Sequence, residues 1–186
     1  MKLYIKNMVC SRCERAVQLE LEKMHLPITA IKLGEVTLSC ELTKTQKTQL
    51  SQALQQLGFR VLEDEQSKTI AQIKNAIIDL VHYQDQNIKT NLSTYLSTNL
   101  NQDYSALSKL FSDKENQTIA HYFIVQKIEK AKELLDYKEL SLSEIAHKLN
   151  YSNVAHLSNQ FKKITGSTPT FFKKNQKIAR KSLDIL

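Results

Sequence analysis

The spacing of apolar residues changes character once along this chain, near residue 66, and the change divides it into two differently built halves. In the first half, runs of period two alternate with runs of helical spacing. Leu3 and Ile5 alternate with Tyr4 and Lys6, which predicts a strand. Val17, Leu21 and Met24 then recur at helical spacing. Ile31 and Leu33 lead into Gly34-Glu35, a two-residue hairpin signal, and Val36, Leu38, Cys40 and Leu42 alternate after it. Leu50, Leu54 and Leu57 form a second helical stripe closed by Gly58, and Phe59 to Leu62 read as a last short strand.

The order is β-α-β-β-α-β, the split pattern of a ferredoxin-like fold. The polar run Glu63-Asp64-Glu65-Gln66-Ser67-Lys68 marks a boundary, and everything beyond it has helical spacing. With 3 Gly and 2 Pro in 186 residues, the connections between those helices must be few or short, which argues against glycine-rich nucleotide-binding loops. Ile70, Ile73, Ile77, Leu80 and Val81 give a helix ending near Tyr83 a broad apolar face. That face serves packing within its own chain or, by its 3-4 spacing, the seam of a homodimer. The expected fold class is therefore an α+β ferredoxin-like domain over residues 1–66, a connecting helix over 67–86, and an all-α domain over 87–186.

No stretch approaches the roughly 18 consecutive apolar residues of a membrane span, and the N-terminal run lacks the apolar core of a signal peptide. The expectation is a cytoplasmic protein without a membrane partner, where three cysteines suggest a metal or redox site, not a disulfide framework. Charge is unevenly placed. Residues 1–66 hold 9 basic and 8 acidic side chains, whereas residues 67–186 hold 17 and 11. Between Ile145 and Leu183 lie Lys148, Lys162, Lys163, Lys173, Lys174, Lys177, Arg180 and Lys181, with no Asp or Glu. Such a segment attracts polyanions, and phosphate neutralisation is the main sequence-independent term in binding double-stranded DNA.

The helical half also repeats itself. LSTYLSTNLNQDYSALSKLF at 92–111 matches LSEIAHKLNYSNVAHLSNQF at 142–161, an offset of 50 with identities at Leu92, Ser93, Leu107, Ser108 and Phe111. Each copy reads as helix, short polar turn, helix, the helix-turn-helix arrangement. In the second copy, Ser141 and Glu144 form a capping box, flanked by Leu140 and Ile145 as a hydrophobic staple. Asn150 is placed to take a left-handed conformation, and Ser152 to cap the next helix. That helix buries Leu157, Phe161 and Ile164 and stops at Gly166 before Pro169. Its other face shows Val154, Ala155, Asn159 and Lys163. Small side chains near a helix N-terminus allow close entry into a major groove, and Asn can read adenine.

The run LSLSEIAHKLNYSNVAHLSNQFKKITGSTPTFFKK resembles the second helix-turn-helix of AraC/XylS-type transcription regulators. The resemblance extends back through KIEKAKELL at 127–135 to about Asn87. Asn150 stands where Gly is usual, and Lys127 where Arg is common. The resemblance implies sequence-specific binding of double-stranded DNA. Asn153, Val154, Ala155, Asn159 and Lys163 would lie on or beside one recognition surface, with Ser105, Ser108 and Lys109 on the other. A helix from about Ile119 to Tyr137 would join the two units. At ~1.5 Å per residue it spans about 28 Å, near the ~34 Å between successive major-groove faces.

In the first half, Asn7-Met8-Val9-Cys10-Ser11-Arg12-Cys13 resembles the M-x-C-x-x-C loop of heavy-metal-associated domains, with Asn7 in place of Gly and Met8 as a core residue. Two thiolates at the spacing of Cys10 and Cys13, near a helix N-terminus, are soft ligands with an expected lowering of pKa. They suit linear Cu(I), and Zn(II), Cd(II) or Hg(II) stay open, Zn(II) and Cd(II) wanting further ligands. Cys40 is expected to be a buried core thiol, away from the pair. Three functions compete on these features. The leading one is a transcription regulator responsive to a soft metal. The others are a regulator sensing a partner or another signal, with incidental thiols, and a metal carrier. No phosphate loop, metalloprotease helix or Ser/His/Asp spacing points to an enzyme.

Overall fold

The structure, a computed structural model, describes residues 1–84, 91–175 and 182–183. It divides into two compact bodies, Met1–Ala76 and Ile77–Leu186. The division falls ten residues beyond the polar boundary, and residue 87, the expected start of the last domain, lies outside the described residues.

The N-terminal body holds β1 (Lys2–Lys6), α1 (Ser11–Lys23), β2 (Ile28–Lys32), β3 (Glu35–Leu38), α2 (Lys44–Gln56) and β4 (Arg60–Leu62). The strands form one antiparallel sheet in the order β2-β3-β1-β4. β1 pairs Leu3 with Val36 on one side and Ile5 with Val61 on the other. Because strand side chains alternate, Leu3 and Ile5 point to one face, where Val17 and Leu21 of α1 and Leu50 and Leu54 of α2 close the core. The element order follows the periodicities, with local corrections. The hairpin turns at Leu33-Gly34, and Glu35 already belongs to β3, paired with Lys32 and Tyr4. Gly34 takes φ +72, and a Cβ there would run into the Asn75 side chain. Leu57 caps α2 and is exposed instead of extending the buried stripe. Cys40 lies past the end of β3 and is half-buried, not a core thiol.

α3 (Glu65–Ile78) continues into a π-helical turn, Asp79–Tyr83. The C-terminal body then holds α4 (Leu92–Leu100), α5 (Tyr104–Glu115), α6 (Ile119–Tyr137), α7 (Leu142–Lys148), α8 (Val154–Thr165) and α9 (Pro169–Asn175). α6 spans the residues expected for the joining helix. Its C-terminal half, with Ile128, Ala131, Leu134 and Leu135, shares one core with Ile145, Leu157, Phe161 and Phe172 of α7, α8 and α9. Among the described residues no helix is long and apolar enough to cross a membrane.

Candidate nucleic-acid interface and thiol pair

The offset of 50 seen in twenty residues governs the whole arrangement from α4 to α9. Asn91 caps α4 by accepting a hydrogen bond from the Thr94 amide, and Ser141 caps α7 by accepting one from Glu144. Asp103 caps α5 through the amides of Ser105 and Ala106, and Asn153 caps α8 through that of His156. Both second helices end on a left-handed residue, Asn116 at φ 52 and Gly166 at φ 79. Thr118 and Thr168 cap the third helices by accepting from His121 and Phe171. Inside each unit the same aromatic pair closes the core: Phe111 against Tyr122 at 5.7 Å, and Phe161 against Phe172 at 5.6 Å. Each helix-turn-helix is thus a three-helix unit, α4-α5 with the first turns of α6, and α7-α8 with α9.

The two turns differ by a residue. In the first, left-handed Asn101 is followed by Gln102 and the cap Asp103. In the second, left-handed Asn150, at φ 53 as its position predicts, is followed by Tyr151, Ser152 and the cap Asn153. The cap is therefore Asn153, not Ser152, which meets His156 Nδ1 at 3.3 Å. Tyr151 is buried, its ring edge-on to His156 and 4.0 Å from Lys127 Nζ. Burial pushes the Tyr151 phenol up to about 12. Lys127 Nζ also lies 5.3 Å from the Phe123 ring centre, and burial pulls its pKa down to about 8. The joining helix thereby holds the entrance to α8 through a cation on two aromatic faces.

On α8, Ala155, Asn159 and Lys163 are exposed and follow one another at i, i+4 and i+8, so they share one outward line. Val154 is half-buried against the second core, and the Asn153 side chain is engaged in the cap. On α5, Ser105 and Lys109 are exposed at the corresponding positions, whereas Ser108 is half-buried. The same line runs on to Asp113, which the sequence reading did not single out. Extending the offset of 50 past Phe111 would have paired it with Lys163. The Asp103 carboxyl is held below the usual range by the Ser105 hydroxyl and two backbone amides. Lys162, Lys173 and Lys174 are exposed around α8 and α9, while Lys177, Arg180 and Lys181 lie outside the described residues.

In the other body, Cys10 is the residue before α1 and Cys13 sits in its first turn, with the sulfurs 3.1 Å apart and both half-buried. Met8 is fully buried in the sheet-helix core, against which Cys13 packs. Asn7 takes φ 71, a conformation glycine adopts without strain, and donates from Nδ2 to the Gly58 carbonyl at 2.9 Å. The expected lowering of thiol pKa does not hold at Cys13. Burial pushes it up, and the contact with Cys10 adds to the shift. Among the described residues no three His, Cys, Asp or Glu side chains cluster as metal ligands.

The family model described as a helix-turn-helix domain matches residues 96–175, from within α4 to the end of α9. The Msm operon regulatory protein of Streptococcus mutans is 26% identical over 151 residues, which is 81% of this chain and 51% of that protein. The chain thus spans about half the length of that curated relative. The C-terminal domain of AraT, a response regulator from Geobacillus stearothermophilus, superposes with a TM-score of 0.51 at 24% identity, over 64% of this chain and 94% of that domain. That likeness is one of fold.

Proposed function

We propose, from the match of residues 96–175 to a helix-turn-helix domain and the AraC/XylS-like run at 140–174, that this chain is a cytoplasmic transcription regulator. It binds specific double-stranded DNA and responds to a soft metal ion. The observation that carries the DNA half is the pair of three-helix units built cap for cap at one offset, each presenting an exposed line on its second helix. An α-helix fits the major groove, and the two units lie at opposite ends of α6. Ala155 admits close approach, Asn159 can make a bidentate contact with adenine, and Lys163 reaches phosphate. The N-terminal body is read as ferredoxin-like, from its element order and its β2-β3-β1-β4 sheet.

Cys10 and Cys13 fit a two-coordinate soft cation such as Cu(I), since two thiols converge beside a helix start and Cys13 packs against the core that buries Met8. Linear coordination needs the sulfurs about two metal–sulfur bonds apart, ~4.6 Å by the zinc value. They must therefore open from 3.1 Å, which side-chain rotation at half-buried positions allows. A bound ion would contribute charge and a fixed S–S separation. Its regulatory effect then equals its differential affinity for two DNA-binding states.

The test is selection of duplexes from a randomised pool, followed by affinity measurement on the enriched sequence with and without Cu(I). The expected outcome is a common enriched motif whose affinity shifts by roughly 5–150-fold with the ion. Cys10→Ser/Cys13→Ser should bind the motif but lose the shift. No enrichment would refute the DNA reading, and identical affinities with and without Cu(I) would refute the metal reading alone.

A further inference from the structure

The two helix-turn-helix units share one architecture, so their surfaces can be compared position by position. Residues 91–125 carry Lys109 and Lys114 against Asp103, Asp113 and Glu115, whereas residues 141–175 carry five lysines against Glu144 alone. At the four positions answering to exposed Lys162, Lys163, Lys173 and Lys174, the first unit has Ser112, Asp113, Phe123 and Ile124. The caps differ in the same sense. Asn153 is neutral, while its counterpart Asp103 is a carboxylate whose ionised form is stabilised by the amides and hydroxyl it accepts from. α5 therefore has an exposed carboxylate at its N-terminal cap and another, Asp113, about two turns beyond Ser105 on the outward line. A duplex presents a phosphate wall on either side of the groove such a helix must enter. Both carboxylates oppose that approach, and α8 meets no such opposition.

Resting on the DNA-binding reading above, we infer that the second unit is the phosphate anchor and the first a conditional reader. The first unit engages the duplex only where base-edge contacts from Ser105 and Lys109 offset the repulsion of Asp103 and Asp113. Affinity for any sequence comes from one end of α6, and the demand for a particular neighbouring sequence from the other. Lys109 can donate to guanine, and the Ser105 oxygen, whose proton goes to Asp103, can accept from a base amino group, so the first unit has the means to read while lacking the charge to hold.

Two variants of the full chain separate these roles on a duplex of mixed sequence and on the pool-selected motif. Lys162→Gln/Lys163→Gln/Lys173→Gln/Lys174→Gln should flatten the log K against log salt slope by about 3–4, at ~0.9 per phosphate contact. Asp103→Asn/Asp113→Asn keeps a good cap residue. It should raise mixed-sequence affinity by roughly 3–10-fold at low salt while weakening discrimination in one half of the motif, because each removed charge lowers repulsion without adding a base contact. Helical circular dichroism checks that both variants fold. The inference is overturned if the asparagine pair leaves mixed-sequence affinity unchanged, or if the glutamine set shifts the slope by less than about one. Failure of the unmodified chain to bind any duplex in a salt-dependent way would instead remove the DNA reading on which the inference rests.

Discussion

Lys127 shows how one side chain ties an interior helix to the surface it supports. Its ammonium lies over Tyr151 and Phe123, and its pKa falls from 10.5 to about 8 because burial disfavours the charge. The folded value is below the unfolded one, so between those two pH values the unfolded chain binds more protons and stability rises with pH. The aromatic faces favour the cation and offset part of this. Urea unfolding should show a gain of up to about 2 kcal/mol between pH 8 and 10. Lys127→Met, which keeps the stem and removes the charge, should flatten that profile. At Ser141 the expectation is simpler: Ser141→Ala costs about 1 kcal/mol by breaking the capping box. Glu144 in that box has a carboxyl held low by the Ser141 hydroxyl and amide. Its contribution is complete above the ordinary carboxylate pKa and fades as pH drops through the depressed one, so the alanine variant, which keeps the amide but not the hydroxyl, should lose part of the acid sensitivity in that window. Of these residues, the capping box and Asn150 were legible because their chemistry is local. The choice of Asn153 over Ser152 as the α8 cap was not, because it depends on a turn one residue longer than the first.

At the scale of elements, the repeat was legible only in fragments. Five identities in twenty gave the offset, but the third helix of each unit was invisible to it. Tyr122 and Phe172 differ in identity and stand outside the matched stretch, yet they fill the same place against Phe111 and Phe161. Side-chain volume was preserved while identity drifted. Phe111→Ala and Phe161→Ala should each cost about 3–5 kcal/mol, measured by denaturant unfolding, since both rings are fully buried. Gly166→Ala, at positive φ with open space around it, should cost about 1 kcal/mol from backbone strain alone. In the sheet, period-two alternation located the strands, but the hairpin signal misplaced the turn by one residue. The glycine occupies the second turn position and Glu35 is already paired across to Tyr4.

For the whole molecule, the acid-free basic stretch and the signature-like run pointed to a DNA-binding half, and residues 96–175 of it match a helix-turn-helix domain. The sequence did not disclose the division of charge between the two units, because that emerges only when α4 to α9 are laid over each other. The thiol pair was legible as a motif, whereas the raised Cys13 pKa follows from burial that spacing does not report. If four lysines of the second unit supply most phosphate contacts, affinity for mixed-sequence duplex should fall about a hundredfold from ~50 to ~200 mM salt, read by fluorescence anisotropy. The left-handed backbone positions carry a last consequence. Asn7, Asn101, Asn116 and Asn150, with His25 and Lys138, occupy sites where glycine would sit without strain. Each accepts a small local strain, and in return the denatured chain has fewer conformations to give up when it folds. Replacing these asparagines with glycine would relax the native backbone but enlarge the entropy lost on folding, by about 0.4–1 kcal/mol at each site. Among the described residues, glycine closes only α2 and α8, and the left-handed ends of α1, α4, α5, α6 and α7 keep the disordered state narrower.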